Sequence, residues 1–159
     1  MPLTTDAAAL AALLPGTWSV GATTSPLWLG GDRLRPRYCY ELKSVDPLVF
    51  DTQVSFTGNG GVEKVVAGRN RFQTNGFVRR GFRLLSFVTS RWSVIGVTDD
   101  SNIVVIRFMK SMLSPAGIDV IVRDGMDSHT FRTAVAGLTE SLGLTHGEFA
   151  SLTWLELAD

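Results

Sequence analysis

Eight runs typical of β-strands follow one another along the chain, and no helical pattern separates them. They cover residues 17–23, 37–42, 50–56, 62–72, 77–87, 91–97, 103–109 and 118–123. The connections at residues 58–61 and 99–102 are rich in Gly, Asn and Asp, which tolerate the positive φ of tight hairpin turns. This succession predicts a mainly β fold, an eight-stranded antiparallel up-and-down β-barrel. A barrel of eight strands is large enough to hold one small ligand.

Helices are predicted at the two ends of the chain. Thr5 or Asp6 can cap a short N-terminal helix within residues 1–15, which Pro15 and Gly16 end. A second helix is predicted over residues 127–143, with one apolar stripe and Gly143 as its stop. A capping box at residues 145–148 and a final strand at 153–157 follow. We therefore expect one domain over residues 1–159, with the barrel at 16–124 and the longer helix packed outside it.

Composition narrows the class of protein. The chain of 159 residues is 45% hydrophobic and 19% charged, which favours a folded domain with a large apolar interior. A net charge of zero gives no general attraction to nucleic acid. Cys39 is the single cysteine, so no internal disulfide is expected. The N-terminus has no signal peptide pattern and no stretch long enough to span a bilayer, so a cytoplasmic protein is expected, as a monomer or homodimer.

The charges are unevenly distributed. Residues 60–110 carry nine Lys or Arg against three acidic residues, and residues 111–159 carry two against seven. Solvated faces of opposite charge are one explanation. The other is that some arginines of the middle segment point into a cavity and meet an anionic ligand group. Outward orientations are favoured for Arg69, Arg71, Arg79 and Arg83, since an inward arginine needs a carboxylate such as Glu41 or Asp119, or an anionic ligand.

Three short motifs carry a resemblance to a known family. Gly16-Thr17-Trp18 opens the first strand, Thr98-Asp99-Asp100 lies at a turn, and Arg123 ends a later strand. In this order and spacing they resemble the lipocalin family. The resemblance implies that Trp18 plugs the closed end of the barrel and that Arg123 packs on its indole, both in structural roles. Where the family has Thr-Asp-Tyr, this chain has Asp100 in place of the tyrosine.

The resemblance covers the whole order of elements. The C-terminal segment, with residues 129–141, 143–149 and Trp154, is similar to the bacterial and apolipoprotein-D-like branch of lipocalins. Fatty-acid-binding and haem-binding barrels of the wider calycin superfamily are alternative relatives.

A ligand site is predicted inside the barrel. The connection over residues 24–36 is long enough to form a lid, and Trp28 within it has no obvious core role. Aromatic residues that alternate along the strands can line a cavity. The predicted ligand contacts are Trp28, Tyr38, Tyr40, Gln53, Phe56, Phe82, Trp92 and Phe108. Tyr40, Glu41, Gln53 or an arginine would orient a polar group of the ligand.

Catalytic motifs are sparse. Cys39 is a candidate nucleophile, because some lipocalin enzymes place a reactive thiol at a similar strand position and Arg37 shares its face. The alternative is a small buried apolar residue. His129 and His146, the only histidines, have no ligand partners at metal-binding spacing, so neither a metal nor a cofactor is predicted.

The predicted function is the binding of a small hydrophobic or amphipathic molecule in the barrel, without covalent chemistry. A second hypothesis is a barrel enzyme, a cyclase or isomerase that folds an apolar polyene or polyketide-type substrate by proximity. A third is an interaction protein with a filled barrel.

Overall fold

Nine β-strands make up one antiparallel sheet in the computed structural model, which describes residues 6–82, 89–112 and 115–157. They are β1 (Gly16–Thr23), β2 (Leu34–Val45), β3 (Leu48–Thr57), β4 (Glu63–Gln73), β5 (Gly76–Gly81), β6 (Thr89–Val97), β7 (Ile103–Phe108), β8 (Gly117–Arg123) and β9 (Thr153–Trp154). The predicted run 77–87 extends beyond β5 into residues 83–88, so its second half and Arg83 lie outside the described residues.

The sheet closes on itself. Strands β2 to β8 pair in sequence order, and β1 pairs with both β8 and β2. Strand β9 adds to the outside of this ring through Ala22 and Thr23 of β1. Within the described residues, β1–β8 therefore form a closed up-and-down barrel, and the predicted fold class is confirmed.

Four helices flank the described barrel: α1 (Ala7–Leu13), α2 (Pro26–Leu29), α3 (Ser128–Gly137) and α4 (His146–Ser151). The Asp6 carboxylate caps α1 by accepting a bond from the Ala8 amide at 3.0 Å. Asp127 caps α3 in the same way, through the Thr130 amide at 2.8 Å. A reciprocal capping box between Thr145 and Glu148 starts α4.

Helix α3 ends at Gly137, earlier than the predicted stop at Gly143. The segment after it leaves the helix to lie on the outer face of β6. At Gly96 on that strand, an added Cβ would lie 2.1 Å from the Leu142 carbonyl oxygen. Gly143, at φ +74°, would place a Cβ 2.6 Å from the Ile95 carbonyl oxygen. Two glycines thus permit a backbone-to-backbone contact that a continued helix could not make.

The apolar residues form two cores. One lies inside the barrel and joins the aromatic side chains of β2–β6 to Trp18, Leu10 and Leu14 near the N-terminus. The other lies between the outer faces of β1, β7 and β8 and the C-terminal segment, with Phe131 and Val135 at its centre. Strands β7 and β8 are therefore buried on both faces, which explains their continuous apolar sequences.

Candidate ligand-binding site

A cavity of about 210 Å³ lies inside the barrel beneath α2. Its volume is below the usual range of roughly 300–1,000 Å³ for ligand pockets, which favours a small ligand. The principal apolar lining residues are Leu27, Trp28, Val54, Phe56, Phe108 and Met109. The polar lining residues are Ser25, Arg33, Tyr38, Arg79, Ser90 and Asp119. The cavity therefore combines an apolar wall with a few polar groups, as small-molecule sites do.

Helix α2 contributes to the wall of the cavity. The Ser25 hydroxyl caps it by accepting a bond from the Leu27 amide at 3.3 Å, and Pro26 occupies the first turn, where no amide donor is needed. This short helix turns Trp28 inward, with 8% of the residue exposed, and its ring centroid lies 6.0 Å from that of Phe56. The predicted lid thus contains a helix that positions an aromatic side chain over the cavity.

The polar centre of the cavity is Asp119, which is 1% exposed. One carboxylate oxygen accepts a bond from the Thr23 hydroxyl at 2.6 Å. The other accepts from the Tyr38 hydroxyl at 2.6 Å and from the Trp28 indole nitrogen at 3.3 Å. Burial raises the pKa of Asp119 above its ordinary value, although these three hydrogen bonds act in the opposite direction.

Burial and the nearby Asp119 carboxylate raise the pKa values of two tyrosines. Burial raises the pKa of Tyr38 well above its ordinary value, and the nearby Asp119 charge raises it further. Burial also raises the pKa of Tyr40, with a smaller contribution from Asp119. Both phenols are therefore neutral hydroxyl groups at physiological pH. The Tyr38 hydroxyl donates to Asp119, and the Trp28 indole is a donor toward Tyr38 that lowers its pKa slightly.

Arg79 faces into the barrel, contrary to the outward orientation favoured from the sequence. Strand alternation places it on the same face of β5 as Phe77, which is 1% exposed. The absence of a side chain at Gly68 on β4 makes room for it, since a Cβ there would lie 2.7 Å from both Cζ and Nε of Arg79. Burial lowers the pKa of Arg79 below its ordinary value. An outward arginine would not need this gap in the neighbouring strand.

Four of the predicted ligand contacts meet at this cavity: Trp28, Tyr38, Phe56 and Phe108. Two others, Tyr40 and Trp92, belong to a packed aromatic cluster next to the cavity, in which Trp92 stacks on Phe77 at a centroid distance of 4.3 Å. The Trp92 indole donates to the Asn70 side chain at 2.9 Å. Tyr40 and Trp92 therefore support the cavity without lining it.

Three predicted residues lie away from the cavity. Gln53 is exposed, because the inward positions of β3 are Thr52 and Val54 on either side of it. Phe82 is 41% exposed after the end of β5. Cys39 lies between the inward Tyr38 and Tyr40, so its thiol is on the outer face of β2. Cys39 thus has no access to the cavity from this position.

Asp119 and Arg79 are the site residues that sequence reasoning underrated. The sequence suggests Asp119 only as a partner for an inward arginine, yet Asp119 and Arg79 form no ion pair. A detectable signal was present, because Asp119 is the one acidic residue within the apolar run 118–122. For Arg79 the signal was Gly68, which becomes informative only when the register between β4 and β5 is known.

The closed end of the barrel has the geometry that the motifs predict. The Arg123 guanidinium lies 3.9 Å from the centroid of the Trp18 ring and donates to the Pro15 carbonyl at 2.8 Å. The Trp18 indole donates to the Leu14 carbonyl at 2.9 Å. Arg123 thereby joins the end of β8 to the segment that follows α1.

At the other motif, the Thr98 hydroxyl lies 2.7 Å from a carboxylate oxygen of Asp100, which also accepts a bond from the Asn102 amide. Asp99 is exposed. Asp100 thus stabilises the turn at the position where the tyrosine of the motif would stand.

Solved structures share this architecture. Lobster apocrustacyanin A1 is similar at a TM-score of 0.63 and 12% identity, over 98% of this chain and 87% of that chain. The bovine lipocalin allergen Bos d 2 gives a TM-score of 0.54 and 14% identity, over 91% of this chain and 93% of that chain. This chain has the lipocalin fold.

A further lipocalin-fold structure, the siderocalin Ex-FABP, is similar at a TM-score of 0.58 and 12% identity, over 92% of this chain and 95% of that chain. No protein-family model matches the sequence, and no curated protein matches it significantly. The bacterial and apolipoprotein-D-like branch stays a prediction. Among the described parts of this lipocalin-fold chain, no helix is long and apolar enough to cross a membrane. The same residues contain no group of three or more His, Cys, Asp or Glu that could hold a metal ion.

Proposed function

We propose that this lipocalin-fold protein binds one small hydrophobic or amphipathic molecule in the cavity beneath α2, without covalent chemistry. The observation that carries the proposal is an apolar cavity lined by Trp28 and containing a buried polar cluster around Asp119. Apolar burial, at about 25 cal/mol per Å², would supply most of the affinity. The polar groups would orient the ligand.

The structural neighbours add support. The siderocalin Ex-FABP is described as functioning through dual ligand specificities, so a similar barrel in another protein takes ligands. For this chain we propose the cytoplasm as the compartment, since a barrel with a single cysteine suits a reducing environment. A monomer or homodimer, with no nucleic acid partner, completes the proposal.

Isothermal titration with 1-naphthalenemethanol, a small neutral apolar probe, tests the proposal. The wild-type protein should bind one equivalent. Trp28→Ala should weaken binding by roughly tenfold, about 1.4 kcal/mol, because it removes a ring that lines the cavity. The matched control is Leu29→Ala, which changes an exposed residue of the same helix outside the cavity lining and should leave affinity unchanged. A wild-type protein that binds no probe would contradict the proposal and favour an interaction protein.

A barrel enzyme of the cyclase or isomerase type is the second candidate, and Asp119 favours it. A carboxyl group whose pKa burial raises can hold or accept a proton at a cavity wall. The test is to identify the molecule that copurifies by native mass spectrometry, return it to the stripped protein and identify what is released. A released isomer would establish catalysis, whereas an unchanged molecule would favour a carrier.

A further inference from the structure

The cavity contains a cation for which the protein supplies no anion. Within the described residues, no carboxylate lies within 4.0 Å of the Arg79 guanidinium. Its Nε is a buried nitrogen without a hydrogen-bond partner, and no other buried side-chain nitrogen or oxygen in the described residues shares that condition. Buried polar groups are nearly always paired, because an unpaired one loses its bonds to water without replacement. Arg79 is therefore an exception that needs an explanation.

The one carboxylate of the cavity does not provide that partner. Both oxygens of Asp119 are occupied by the donors of Thr23, Tyr38 and Trp28. Asp119 lies on β8, three strands around the barrel from β5. The cavity thus has separate positive and negative groups on different parts of its wall, and the negative one is already satisfied.

The surroundings of Arg79 suit a ligand. Its guanidinium lies over the backbone gap at Gly68, so the side chain can extend across the barrel wall into the cavity. Apolar residues of β3 and β4, Val54, Phe56 and Val66, line the same space. A planar guanidinium in such an environment pairs with a planar carboxylate through two parallel hydrogen bonds.

We propose that the ligand is a small monoanion, with a carboxylate that pairs with Arg79 and an apolar body that packs against Trp28 and Phe56. This inference rests on the proposed function, since it names the chemical class of the molecule that the cavity would bind. Its apolar body is of the size of one fused ring system or a short chain, given a cavity of about 210 Å³.

Two probes with one ring system separate the anion from the apolar body. We would titrate 1-naphthoate, which is ionised at neutral pH, and 1-naphthalenemethanol into the wild type, Arg79→Met and Arg71→Met by calorimetry. The wild type should bind the carboxylate at least about tenfold more tightly than the alcohol. Arg79→Met should abolish this preference and leave the alcohol affinity within about twofold. Arg71→Met removes the same charge from an exposed position on β4 and should retain the preference.

A second variant keeps the test decisive if Arg79→Met folds poorly. Gly68→Ala keeps the charge and displaces the guanidinium, because its Cβ would lie 2.7 Å from Cζ. It should also lower the preference for the carboxylate.

The outcomes separate the two proposals. Equal affinity of the wild type for both probes, or equal loss of both in Arg79→Met, would overturn the anion inference while the cavity function stands. Full retention of the carboxylate preference in Gly68→Ala would also overturn it, because that variant displaces the guanidinium. Binding of neither probe would overturn the proposed function and this inference together.

Discussion

Single glycines decide where two arginines of this barrel lie. Gly16 permits the Arg123 guanidinium to approach the closed end, and Gly68 permits the Arg79 guanidinium to lie against the inner wall. In both places a methyl group would occupy the space of a charged group. The positions of the cations are therefore set by neighbouring residues of other strands rather than by the arginines themselves.

Gly16→Ala should destabilise the protein by about 2 kcal/mol, because it forces a side chain into strained backbone. Gly16 has φ +115°, which a residue with a side chain rarely adopts, and the new Cβ would lie 2.6 Å from Nη1 of Arg123. Urea denaturation measures the change. Gly137→Ala is the matched control, because the Cβ would meet open space within helix α3, and it should be neutral or stabilising. Equal stability of the two variants would contradict the role given to Gly16.

The residue-scale predictions from sequence succeeded where a contact depends on a short motif. The Arg123 guanidinium lies over the Trp18 ring, as the resemblance implies. The orientation of Arg79 depends instead on the pairing of Gly68 with Gly81 across two strands. That register cannot be read from a single sequence, because a shift by one residue would turn every side chain of the strand to the other face.

Helix α4 shows how a short element is fixed at its ends. Its six residues are too few for a stable isolated helix, so the capping box of Thr145 and Glu148 matters. The Glu148 carboxylate accepts a bond from the Thr145 amide at 3.0 Å and pairs with Arg107 of β7. The element is thus fastened both to its own first turn and to the barrel wall.

This arrangement predicts a dependence of stability on pH. The Thr145 amide is the main cause that lowers the pKa of Glu148 below its ordinary 4.5, and the Arg107 charge adds to it. A folded-state pKa below the unfolded value stabilises the protein above pH 4.5, and this contribution is lost as pH falls through the folded-state value. The wild type should therefore be more stable than Glu148→Gln at pH 7 in thermal unfolding, and the difference should shrink at pH 3. An unchanged difference would contradict the interpretation.

Element-scale predictions were good for strands and poorer for helices. Alternation and turn residues identify the strands because both are local signals. Helix α2 has only four residues, too few to show a helical period, so the sequence indicates only a loop there. The early end of α3 follows from the contact of the next segment with β6, which is a tertiary effect.

At the scale of the whole molecule, the C-terminal segment packs against one side of the barrel, and the outer surface of the opposite side is exposed to solvent. The C-terminal segment covers the outer faces of β1, β7 and β8. The outer faces of β3 and β4 carry exposed residues such as Gln53, Val65 and Arg71. The architecture followed from the order of elements, but the size of the cavity and the depth of its polar groups depend on how side chains fill the interior.

The covering of one side has a mechanical consequence. Strands β7 and β8 are packed on both faces, so they can bend only by disturbing two cores. Strands β3 and β4 are packed on one face alone, so this side of the barrel should be the more flexible one. Amide hydrogen exchange should be slower in β7 and β8 than in β3 and β4. A bound ligand should slow exchange in β3 and β4 far more than in β7 and β8. Uniform protection around the ring would contradict this picture. The ligand would then bind against a cavity wall that can adjust at β3 and β4, while β7 and β8 keep their shape.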